Sequence, residues 1–154
     1  MQHNIAWTKF TFSFGVLLAF LAPAAYATNC SMATAAGIYG LSDSGTVIGV
    51  GPRAAVGQVT FDAAGNANGT VTASLNGQVA EATISGTYTV NSDCTGTAAF
   101  SEFDLFGNLL STATANLVWD NNMREIRFLF TSIVLANGTP LASAVNGDAR
   151  KIVP

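Results

Sequence analysis

The stretch Val71-Thr72-Ala73-Ser74-Leu75-Asn76-Gly77-Gln78-Val79-Ala80-Glu81-Ala82-Thr83-Ile84 decides the fold class. Asn76-Gly77 tolerates the positive φ of a type I′ turn, the commonest tight link between antiparallel strands. Pairing across it sets Leu75 opposite Gln78, Ala73 opposite Ala80 and Val71 opposite Ala82. One face is then apolar, while Thr72, Ser74, Val79, Glu81 and Thr83 make the other mostly polar. A half-buried antiparallel pair requires that division.

The alternation runs on past the hairpin. Ala80, Ala82, Ile84, Gly86, Tyr88 and Val90 share one parity, with Gly86 the natural place for so long a strand to bend. Beyond a turn at 91–95, Leu109, Ala113, Ala115, Leu117 and Trp119 face one way and Thr112, Thr114 and Asn116 the other. After Asp120-Asn121-Asn122, the residues Ile126, Phe128 and Phe130 make the next apolar side. The pattern predicts about eight strands, near 37–41, 46–50, 55–62, 68–75, 78–91, 95–106, 109–119 and 124–135, with 139–152 as a further one.

Consecutive hairpins of this length predict an all-β fold, an antiparallel up-and-down barrel, with a β-sandwich as the alternative. Closure hides the two sheet edges, and a barrel of about eight strands encloses side chains or one small ligand. The many inward Ala, Gly and Ser residues either leave a cavity or pack tightly against Phe61, Phe100, Trp119, Phe128 and Phe130.

Residues 1–27 read as an address rather than as part of this domain. Lys9 precedes an apolar run from Phe10 to Leu21, and Ala25-Tyr26-Ala27 is the small-x-small pattern that a signal peptidase accepts. The run is too short to cross a bilayer of about 30 Å. The expectation is a signal peptide cleaved after Ala27, a single domain over 28–154 secreted or periplasmic, and no membrane span in the mature chain. An uncleaved N-terminal anchor is the alternative.

Cleavage leaves 127 residues, with 5 basic side chains against 9 acidic ones. It also removes His3, the only histidine. A domain without His excludes Ser-His-Asp and Cys-His mechanisms and His-ligated metal sites, so neither a cofactor nor a metal is expected. The acidic balance, without a Lys/Arg cluster, argues against nucleic acid as a partner. Cys30 and Cys94 are the whole thiol inventory, and in an exported chain they favour a disulfide over a reactive thiol, which would need a nearby base or cation.

Glu102 and Asp104 are the candidate catalytic residues. A turn at 91–95 pairs Gly86 with Phe100 and Ile84 with Glu102, which points Glu102 inward. A two-residue turn at Gly107-Asn108 agrees, and also sets Asp104 opposite Ser111 on the apolar face. A turn longer by one residue buries Phe103 and Leu105 instead. An inward carboxylate must be paired, hydrated or protonated, and in a cavity it is a candidate general acid or base. Tyr88, Phe100, Trp119 and Phe128 share the inward face and are the candidate ligand-binding residues.

The dodecapeptide Gly86-Thr87-Tyr88-Thr89-Val90-Asn91-Ser92-Asp93-Cys94-Thr95-Gly96-Thr97 resembles a motif of small exported bacterial proteins. Their barrels are similar to allene oxide cyclase and, more loosely, to the lipocalin-type calycins. Gly37-Ile38-Tyr39-Gly40 and the turn from Phe61 to Gly65 fit the same pattern. The resemblance implies a barrel with a ligand-sized interior. It carries over no catalytic residue, because no active-site motif of the plant cyclases matches residue by residue.

Three functions fit these constraints. The first is a non-enzymatic exported barrel holding a small hydrophobic molecule. The second is a cyclase or isomerase using an interior carboxylate. The third is an envelope or interaction protein with a filled core.

Overall fold

The computed structural model describes residues 30–152. The leader expected at 1–27 lies outside the described residues. A short helix, α1 (Met32–Ala35), is followed by nine strands: β1 (Gly37–Val47), β2 (Gly51–Phe61), β3 (Asn66–Leu75), β4 (Gln78–Tyr88), β5 (Thr95–Phe103), β6 (Leu109–Asp120), β7 (Glu125–Leu135), β8 (Pro140–Leu141) and β9 (Ser143–Lys151).

Successive strands from β1 to β7 pair antiparallel, β9 pairs with β7, and β9 returns to β1. Eight strands therefore close into an antiparallel barrel, and the two-residue β8 rides on the end of β7. Closure leaves none of the eight with a wholly unpaired flank, which is how a chain of such long β-prone segments avoids edge-to-edge association.

The hairpin at Asn76-Gly77 has the expected register, with φ of 50° and 83° at the two turn residues. Gly86 pairs with Phe100 and Ile84 with Glu102 across β4–β5. Ala82, Ile84 and Tyr88 are buried, whereas Ala80 lies exposed at the mouth.

Two expected features differ. The segments 37–41 and 46–50 are not separate strands, because β1 runs unbroken from Gly37 to Val47 and the chain turns only at 48–50. Between β5 and β6, Ser111 pairs with Glu102 rather than with Asp104, and a register shift follows before Phe103 meets Leu109. The turn spans Asp104–Asn108 because the Asp104 carboxylate ties it. Oδ1 accepts from the backbone N–H of Phe106 and Asn108, and Oδ2 from Asn108 Nδ2. Asp62 builds the same device with Ala64 and Asn66, so Asp-x-x-Gly-Asn is this fold's recurring turn.

One end of the barrel is plugged. Tyr39, Phe61, Tyr88 and Trp119 form a chain of ring contacts, with successive centroids 5.4, 4.7 and 6.2 Å apart. Helix α1 covers this end, held by the Cys30–Cys94 disulfide, with 5.1 Å between the two Cα atoms. The Tyr39 hydroxyl lies 2.8 Å from the carbonyls of both Ala35 and Met123 and donates to them, which ties the helix to the plug. The other end, ringed by the turns 48–50, 76–77, 104–108 and 136–139, has no such cover among the described residues.

Candidate functional site

Inside the barrel, below the open end, lies a cavity of about 60 Å³. Its walls are almost wholly apolar: Val59, Ile84, Phe100, Leu117, Phe128 and Phe130 are among them, with Ala113, Ala115 and Ala149 keeping space between the rings. Gly147 helps the same way, since a Cβ there would collide with the ring of Phe128, its partner on β7. Above the cavity the lumen widens into a vestibule of about 460 Å³ that reaches the mouth. Arg53, Val71 and Glu102 line both spaces and form the neck between them.

The neck carries the interior charge. Asp43 and Arg53 project inward from β1 and β2, and Glu102 from β5. Arg53 grips Asp43 with two hydrogen bonds, Nε to Oδ1 at 3.0 Å and Nη2 to Oδ2 at 3.2 Å. The same Nη2 stands 3.5 Å from Glu102 Oε1. Ser111, the direct strand partner of Glu102, donates its hydroxyl to Glu102 Oε2 at 2.6 Å. The Arg53 guanidinium also lies over the Phe130 ring, 5.8 Å from its centroid.

Side-chain exposure falls from 21% at Glu102 to 11% at Arg53 and 3% at Asp43. Burial by itself lowers the Arg53 pKa, but the hydrogen bond and charge of Asp43, joined by Glu102, outweigh it and raise the pKa above its ordinary value. The guanidinium thus stays charged and committed to Asp43.

The residues singled out from sequence fall in three places. Glu102, Phe100 and Phe128 line the cavity. Tyr88 and Trp119 face inward too, but at the plugged end, below the cavity. The Tyr88 hydroxyl donates to the Asp62 carbonyl at 2.6 Å. Asp104 lies in the β5–β6 turn, away from the lumen. Its side-chain hydrogen bond from Asn108, reinforced by backbone N–H groups, holds its pKa below the usual carboxylate value. Cys30 and Cys94 form the disulfide.

Sequence reasoning did not single out Asp43, Arg53 or Ser111. The signal for the first two was their parity: Tyr39, Leu41, Asp43 and Val47 alternate along β1, as do Arg53, Ala55, Val59 and Phe61 along β2.

The mouth is unusually apolar. Ile48, Val79, Leu105, Phe106, Leu110 and Leu135 are exposed around it. The four turns at this end carry one charged residue, Asp104, and no Lys or Arg.

No protein-family model matches the chain, and no curated protein is similar to it. Among solved structures, the fold is similar to a redesigned β-barrel, mFAP1, bound to DFHBI, with 14% identity, a TM-score of 0.53 and coverage of 79% of this chain and 98% of that one. It is also similar to EF1p2_mFAP2b bound to DFHBI, with 12% identity, a TM-score of 0.56 and coverage of 79% and 99%. At these identities the likeness is one of fold, a closed antiparallel barrel.

Proposed function

We propose that this chain is an exported carrier that holds one small, mostly apolar molecule in its lumen. The observation that carries this reading is a pair of adjoining interior spaces, an apolar cavity and a vestibule at the mouth, which share Arg53, Val71 and Glu102 as lining. A concave apolar space with a few convergent polar groups is the usual form of a small-molecule site. Two designed barrels of similar fold bind DFHBI, which supports the reading by analogy of architecture alone. Export rests on the sequence of residues 1–27 and fits the disulfide, since such bonds persist in oxidising compartments. The resemblance of residues 86–97 to exported allene oxide cyclase-like barrels belongs to the same proposal.

The test is to titrate the mature chain with the neutral dye N-phenyl-1-naphthylamine. Saturable, one-to-one fluorescence enhancement is expected, and a neutral apolar competitor should reverse it. Absence of saturable enhancement overturns the carrier reading.

A cyclase or isomerase is the second reading, favoured by one observation: the Glu102 carboxylate, held by Ser111, faces an apolar cavity. Proton transfer by a positioned carboxylate is its required chemistry. It predicts that Glu102→Gln abolishes turnover of a substrate with the fold intact. The open lumen gives less support to a filled-core interaction protein.

A further inference from the structure

We infer that the lumen selects an apolar molecule bearing a positively charged amine, bound with the ammonium at the neck and the apolar body toward the mouth. This inference rests on the carrier reading and names its ligand class.

Three charged groups reach the cavity, Asp43, Arg53 and Glu102, so two carboxylates stand against one guanidinium. The formal charge of the neck is therefore −1. How the hydrogen bonds are shared decides where that excess resides. Both Asp43 oxygens accept from Arg53, and Asp43 is nearly inaccessible. Arg53 gives two of its five N–H donors to that bidentate pair and lies over the face of Phe130, so its charge is matched first by Asp43. Glu102 differs. Ser111 occupies Oε2, while Oε1 has only the longer 3.5 Å contact with Arg53. Glu102 is also the most exposed of the three, and it borders both cavity and vestibule.

An incoming ammonium gains a direct partner in Glu102 Oε1 within apolar walls, where charge interactions are much stronger than in water. An incoming carboxylate meets the net negative charge of two carboxylates against one guanidinium whose charge Asp43 already pairs.

Orientation follows from the two volumes. The inner cavity of about 60 Å³ admits only a few heavy atoms, whereas the vestibule of about 460 Å³ accepts a ring system. The body of the ligand thus rests outward, against Ala80, Leu110, Ile133 and Leu141. The mouth offers apolar cover there and no cation that would attract an acidic head group.

Calorimetric titration of the mature chain with three naphthalene probes separates the possibilities: 1-naphthylmethylamine, 1-naphthalenemethanol and 1-naphthoic acid, at neutral pH and low salt. The amine is expected to bind roughly tenfold or more tighter than the acid, with the alcohol between them. Glu102→Gln should bring the amine down to the alcohol's affinity. Added salt should weaken the amine and leave the alcohol unchanged, a comparison that needs no variant. If the alcohol binds but the acid equals or exceeds the amine, the charge inference is overturned while the carrier reading stands. If none of the three binds saturably, the carrier reading fails and the inference falls with it.

Discussion

Ser111 and Glu102 are direct partners across the β5–β6 ladder, and the Ser111 hydroxyl donates to Glu102 Oε2 at 2.6 Å. That contact fixes the rotamer of the one interior carboxylate open to a ligand. It lies immediately before the register shift that releases the chain into the Asp104–Asn108 turn. Removing the hydroxyl frees Glu102 to move toward Arg53. Ser111→Ala is thus expected to weaken binding of 1-naphthylmethylamine without unfolding the barrel, as read by calorimetry beside a melting curve.

The Arg53–Asp43 pair makes a sharper demand on stability. Removing one partner of a buried pair strands the other charge, at a cost of roughly 3–5 kcal/mol, whereas replacing both by apolar residues is often nearly neutral. Arg53→Met leaves Asp43, 6% exposed, without its bidentate donor. Urea unfolding should show the single variant destabilised by about that amount and Arg53→Met with Asp43→Leu largely restored. Equal midpoints for the single variant and the parent would contradict the pairing.

Cys30 and Cys94 close a loop with a sequence separation of 64. In the loop-entropy account such a link stabilises by about 4 kcal/mol. Reduction, or Cys30→Ser with Cys94→Ser, should lower the unfolding free energy by an amount of that order. It should also loosen α1 from the plug, exposing the Tyr39 hydroxyl.

Tyr39 and Tyr88 are the only tyrosines among the described residues. Burial drives both pKa values up from the usual 10.0 to about 12, with Tyr88 adding to the effect on Tyr39, the Trp119 indole opposing it, and Asp62 adding to the effect on Tyr88. Folding therefore favours the neutral phenols. Their contribution is complete below pH 10.0, the unfolded value, and is lost as pH rises toward about 12. Phenolate absorbance of the folded chain should stay flat through pH 10.0 and climb only with, or above, the fall in stability. Ordinary titration of either tyrosine in the folded state would contradict the plug.

The fold was legible because strand parity and turn chemistry agree over most of the chain. Asn76-Gly77 fixes one register, and the even positions from Ala82 to Tyr88 follow from it. Parity identifies a face, though not a height along the barrel axis. Tyr88 and Trp119 share the inward face with Phe100 and Phe128, yet sit in the plug because their strand positions lie nearer the closed end. Asp43 is not legible in the sequence because Ser42-Asp43-Ser44-Gly45 has the composition of a turn, whereas pairing on both sides holds it as mid-strand. Arg53 was hidden likewise, next to Gly51-Pro52 at a strand start. Asp104 has inward-looking spacing, but its carboxylate is spent on the turn, a device that the matching Asp62-to-Asn66 segment repeats.

Methyl-resolved NMR of residues 28–154, titrated with neutral 1-naphthalenemethanol, tests the central claim of an accessible apolar lumen most directly. The account predicts saturable shifts at the lumen methyls of Val71, Ala82, Ile133 and Leu141, with the outward Val56, Val118 and Leu129 unmoved. Shifts confined to the outward methyls, or none at saturating probe, would contradict it.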